Sequence, residues 1–104
     1  LNATNDGWFG NSPGPYQHLA MARMRSIEHG LPLVRAANNG VSMVTDGYGR
    51  IIDQLPLNAR GAMDGLLPAA LPMTTYGKHG EFGIALLLAI IILGSVFRIY
   101  SIKK

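Results

Sequence analysis

With 104 residues, 48% of them hydrophobic, the chain is one small domain at most, and its apolar last quarter leaves few residues for a soluble core. It contains no cysteine, which excludes disulfide scaffolds, zinc-thiolate sites and thiol nucleophiles from these residues. The net charge of +3 is small, and its informative cations, Arg98, Lys103 and Lys104, bear on membrane topology more than on nucleic acid.

The chain opens on Leu1 rather than Met, with "LNATND" reading as the end of a strand running into a turn and no secretory signal, so we expect a piece of a longer chain. The stretch "NDGWFGNSPGPYQH", Asn5 through His18, surrounds a Trp-Phe pair with turn-forming residues. Trp8 and Phe9 either plug the domain or wall a pocket, with the pocket favoured for Trp8 and burial for Phe9. Asn5 and Asp6 either bond their own backbone in a turn or shape a site through a hydrogen-bond network.

In "GPYQHLAMARMRSIEHG", Gly14 can cap a helix, Pro15 falls at its first position and Gly30 just past its end. Tyr16, Ala20, Met24 and Ile27, with Leu19 beside them, form an apolar stripe at helical spacing. The opposite face carries Gln17, Arg25 and Glu28, the last two spaced for a solvated ion pair. A strand is expected over 33–37, closed by Asn38-Asn39-Gly40. Two more, over 41–45 and 50–55, are joined through Asp46-Gly47-Tyr48-Gly49, a hairpin signal because Asp-Gly supplies positive φ. One further strand is expected near Ala62 to Leu67, and Pro68 and Pro72 then mark a linker.

From Phe82 to Phe97 sixteen residues carry no charge. That is slightly short of the roughly 20 a spanning helix needs, but Arg98 can snorkel and let the helix continue to Ile102. A buried core helix would show a polar stripe, and none occurs before Arg98. The cations after the span, with Lys78 and His79 the only nearby basic groups before it, place the C-terminus in the cytoplasm and residues 1 to 78 on the opposite side. Tyr76, Phe82 and Tyr100 stand where interfacial aromatics are expected. The expected division is an α/β domain over 1–73, a juxtamembrane linker over 74–81, a transmembrane helix over 82–100 and a tail over 101–104.

"NDGWFG", "QHLAMARMRSIE" and "PLVRAANNGVSMVTDGYGRII", followed by a linker and one hydrophobic span, closely resemble the C-terminal end of bacterial apolipoprotein N-acyltransferases over nearly the whole chain. The resemblance implies the C-terminal part of a nitrilase-like αββα sandwich, facing the periplasm and set before the last helix of an inner-membrane protein. It implies acyl transfer from a phospholipid to the α-amino group of the diacylglyceryl-cysteine that begins an apolipoprotein. A Cys thiolate forms a thioester, a Glu serves as general base, and a Lys holds the oxyanion. This chain departs from that pattern by having no cysteine, so all three catalytic groups are expected upstream of Leu1 and none is assigned here. Glu28, Glu81, Lys78 and the terminal lysines are not drafted into those roles. What the resemblance does offer is a substrate-binding rim at Trp8, Phe9, Asn5 and Asp6. The implied partners are a phospholipid donor, an apolipoprotein acceptor and the membrane, with no nucleic acid, no cofactor, no metal and a monomeric state. Two other classes compete: a nitrilase-like amide hydrolase, normally soluble and so at odds with the span, and a membrane-anchored binding domain without chemistry.

The remaining candidates have plainer readings. His18 is expected to be a solvated histidine on a polar helix face. Met21, Met24 and Met43 are expected to fill core. Arg35, inside an apolar strand, must reach solvent or a carboxylate, and a structural pair is expected. Nothing resembles a phosphate loop or has metal-ligand spacing.

Overall fold

The structure, a computed structural model, describes residues 1–103; Lys104, part of the expected tail, lies outside the described residues. The chain divides into a unit of Leu1–Thr74 and a C-terminal unit that begins at Thr75.

The first unit starts with strand β1 (Asn2–Asn5), helix α1 (Gly14–His29) and strand β2 (Leu33–Asn38). β1 and β2 are parallel, as a strand-helix-strand crossover requires, with Asn2 opposite Arg35 and Asn5 opposite Asn38. β3 (Ser42–Thr45) and β4 (Ile51–Leu55) add antiparallel neighbours, giving a four-stranded sheet in the order β1-β2-β3-β4. This is the α/β class expected, with one sheet and its helix layer in place.

Helix α1 starts at Gly14 and stops where the sequence demands, because Gly30 adopts φ 66° and its N–H bonds back to Ile27. The face it turns to the sheet differs from expectation. Pro15 and Ser26 are buried and Leu19 and Ala22 half-buried, while Tyr16, Ala20, Met24 and Ile27 are exposed. The cause is polar. Ser26 Oγ donates to Leu31 O and lies 3.4 Å from Thr45 Oγ1, and Arg23 Nε donates to Gly49 O. These bonds fix the buried edge of the helix, while Tyr16 and Ala20 line an open cavity of about 320 Å³ with Val41, Met43 and Ile51. Met43 is 1% exposed in the core with Leu33 and Val41, but Met21 and Met24 lie on the surface, correcting the core reading for those two. Arg25 and Glu28 form no ion pair; Arg25 is exposed and Glu28 half-buried, and a pair this close to solvent would add little.

The β3–β4 hairpin forms as expected, but its positive φ falls at Gly49, 76°, rather than at Gly47. Gly47 serves close approach instead, since a Cβ there would lie 2.6 Å from Gly30 O. No strand forms over 62–67. Gly61, Gly65 and Pro68 interrupt the pattern, and the segment runs irregularly, with Met63, Leu66 and Leu67 facing a cavity of about 300 Å³ shared with Val34, Val44 and Ile52. Leu71 N then donates to Gly30 O at 2.8 Å, tying the end of the segment to the end of α1.

In the second unit, α2 (Thr75–His79) is one short turn and α3 (Phe82–Ile102) is the long apolar helix. Its 21 residues run past Arg98 to Ile102, and an 18-residue stretch of it reaches a mean hydropathy of 2.5. At 1.5 Å per residue that is about 31 Å, the thickness of a bilayer's hydrocarbon core, so by length and composition α3 can cross a membrane.

Asp46 organises the hairpin. Its Oδ1 accepts from Tyr48 N at 3.0 Å and Arg50 N at 2.9 Å, and its Oδ2 pairs with Arg50 Nε at 2.6 Å. Desolvation pushes its pKa up, but the hydrogen bonds from Arg50 and Tyr48, with the Arg50 charge, outweigh that and hold the carboxyl below its ordinary 3.8. A depressed folded-state pKa gives stability that is present above the unfolded value and lost as pH falls through the folded one. We therefore expect Asp46→Asn to lower the melting temperature near neutrality and the difference from wild type to shrink as pH falls below about 4, which flattens the acid limb. An unchanged acid limb would remove Asp46 from that role.

Candidate functional site

Parallel strands leave their carboxyl ends free to build a site, and β1 and β2 end side by side at Asn5 and Asn38. Asn5 Oδ1 accepts from Gly7 N at 3.0 Å and from Asn38 Nδ2 at 3.3 Å, so one side chain both makes the turn and bridges the two strand ends. Asp6 N donates to Asn38 O at 3.0 Å, extending the ladder by one residue. The chain then closes a single 3-10 turn over Gly7–Phe9, and Gly10, at φ 57°, redirects it. Ser12 Oγ donates to Phe9 O at 2.7 Å and accepts from Gly14 N at 3.1 Å, passing the chain into α1.

At the centre lies Asp6, 1% exposed. A buried carboxylate must be paired and hydrogen-bonded, and this one is met from two elements. Arg35 of β2, also 1% exposed, gives Nη2 at 2.8 Å to Oδ2, and His18 of α1 gives Nδ1 at 2.8 Å to Oδ1. Arg35 Nη1 donates to Asn2 Oδ1, and its Nε is buried without a hydrogen-bond partner among the described residues. The β2–β3 turn presses on the same carboxylate, because a Cβ on Gly40 would stand 2.2 Å from Asp6 Oδ2.

Around this polar centre the two aromatics differ. Trp8 is 89% exposed and plugs nothing in this unit. Phe9 is 45% exposed, less buried than expected, because its ring is packed on one side only. It covers Gly14, where a Cβ would approach its Cδ1 to 2.6 Å, and it meets the His18 ring at 5.8 Å between centroids.

The structural pair expected for Arg35 forms, and its partner is Asp6. Of the two readings left open, Asn5 takes the turn with a cross-strand bond and Asp6 takes the network. His18 corrects the sequence reading, since it is a half-exposed member of a charged cluster rather than a free solvated group. The signal that could have found it was the need of Arg35 for a carboxylate, combined with a parallel register that brings the residues after β1 beside β2. Among the described residues no cluster of His, Cys, Asp or Glu could hold a metal.

An α/β unit whose loop chemistry sits at the ends of parallel strands is matched, over residues 1–78, by the carbon-nitrogen hydrolase family, and the chain belongs to that family. Within it the chain is similar to proteins named apolipoprotein N-acyltransferase: 57% identical to that of Rhodopseudomonas palustris and 54% to that of Bradyrhizobium diazoefficiens, each over 98 residues. It is 47% identical over 94 residues to that of Rickettsia bellii. These matches cover 94%, 94% and 89% of this chain but only 18%, 18% and 19% of the relatives, so the chain spans about a fifth of their length.

Removing one member of a buried ion pair strands the other. We expect Arg35→Met to lower the stability of the α/β unit by about 3 to 5 kcal/mol, and by much less when Asp6 is already Asn. A double-mutant cycle read by denaturant unfolding checks this; additive effects would show that the pair is not coupled. Gly40→Ala should be destabilising through the same carboxylate, and less so beside Asp6→Ala.

Proposed function

We propose that the chain is the C-terminal part of an apolipoprotein N-acyltransferase, which moves an acyl chain from a phospholipid to the α-amino group of the N-terminal diacylglyceryl-cysteine of an apolipoprotein. The observation that carries this is the similarity to proteins of that name across both the α/β unit and the apolar helix. A soluble amide hydrolase would have no use for α3, whereas an enzyme whose acyl donor resides in a bilayer needs to be held there.

In this reading the chain supplies the rim of the site and not its nucleophile. Acyl transfer through a thioester needs a thiolate, and these residues contain no cysteine. The nucleophile, the Glu that activates it and the Lys that stabilises the oxyanion come from another part of the protein. Trp8 and Phe9 present apolar area to acyl chains, while Asn5 and Asp6 hold the turn that carries them. The cations after α3 keep the C-terminus in the cytoplasm, so the α/β unit works on the periplasmic side of the inner membrane.

Two experiments test this. The 104 residues alone, purified in detergent, should show no acyl transfer to a diacylglyceryl-cysteine peptide. Grafted in place of the matching segment of the Rhodopseudomonas palustris protein, they should support transfer, and a folded, membrane-inserted graft without activity would sink the proposal. In that graft we expect Trp8→Ala to raise KM for phospholipid about tenfold, the scale of losing one large apolar contact.

A further inference from the structure

The half-exposed imidazole of His18 has no task in the reading above. Asp6 is already charge-compensated by Arg35, which is fully buried, whereas the His18 side chain is 37% exposed and reaches the edge of the site. Its Nδ1 lies 2.8 Å from Asp6 Oδ1 and 3.3 Å from Arg35 Nη2. An ionised carboxylate only accepts hydrogen bonds, so Nδ1 carries the hydrogen directed at Asp6, and both donors converge on one acceptor group. The same imidazole lies tilted by 55° against Phe9. His18 therefore touches the residue that precedes the Gly7–Phe9 turn and the residue that ends it, with only Gly7 and Trp8 between them.

We propose that His18 is a positioning residue: by donating Nδ1–H to Asp6 beside the ring of Phe9, it fixes the Gly7–Phe9 turn and so sets where Trp8 stands at the carboxyl ends of β1 and β2. Loss of His18 leaves the Asp6–Arg35 pair intact, so the unit stays folded and the turn loosens. The consequence for acyl transfer rests on the reading that this turn borders the acyl site.

Trp8 is the chain's only tryptophan, so its fluorescence reports the turn directly. The full 104-residue chain in phospholipid nanodiscs is compared as wild type, His18→Ala, His18→Phe and His18→Asn, with circular dichroism confirming equal helix content. Phe keeps a ring without the N–H, and Asn keeps an N–H near the Nδ1 position. Time-resolved anisotropy should show greater fast motion of Trp8 in the Ala and Phe variants and near-native order in the Asn variant. Unchanged Trp8 motion in His18→Ala, or His18→Asn as loose as His18→Ala, would overturn the proposal. In the grafted enzyme, His18→Ala should raise KM for phospholipid about tenfold with little change in kcat, the scale of one hydrogen bond to a charged group, and His18→Asn should restore it. Trp8 loosened without a change in KM would uphold the positioning role while refuting the placement of the turn at the acyl site.

Discussion

The buried pair of Asp6 and Arg35 is the constraint on which the α/β unit is arranged. Neither charge reaches water, so each depends on the other, and that dependence ties the residue after β1 to the middle of β2. Because the strands are parallel, the partners are distant in sequence and adjacent in space only once α1 has crossed over. The pair is thus a check on the correct crossover as well as a contact within it, and Gly40 and Asn2 fit around it. The core that supports it is small, with Leu33, Val41 and Met43 as its buried apolar members.

Much of the backbone was legible in the residues because local chemistry decided it. Pro15 and Gly30 mark the start and the end of α1, and Asp46 with Gly49 closes the hairpin through its own side chain. Arg35, alone among apolar neighbours, announced that a carboxylate must be near. What the residues did not show was which face of α1 docks. The apolar stripe of Tyr16, Ala20, Met24 and Ile27 satisfies helical periodicity, but the residues with specific polar partners are Ser26, Arg23 and His18, which meet Leu31 and Thr45, Gly49, and Asp6. The missing strand near Met63 has a similar origin: periodicity is a statement about side chains, whereas a strand needs a backbone partner. His18 escaped for the same reason, since its partner is fixed by tertiary contact and not by spacing.

The division of labour in the loop follows from burial. Asp6 and Arg35 are hidden, so they bear on stability, whereas Trp8 stands open to solvent. His18 lies between, half in each environment. A site built this way keeps its geometry on the parallel strand ends and offers one large aromatic on a short tether. The family membership gives that arrangement a chemical setting, and these residues contain no thiol.

The order of the sheet carries one more consequence. β1 and β4 each have a neighbour on one side only among the described residues, and neither is shielded at its open side by a proline within the strand. Such rims are templates for a further strand, whether from the same polypeptide or from a foreign one. Detergent can sheathe the apolar helix, but it does not cap a row of backbone amides. Handling this chain in isolation is therefore a problem of sheet rims as much as of greasy surface, and a peptide strand added in trans would be a more fitting solubiliser than a milder micelle.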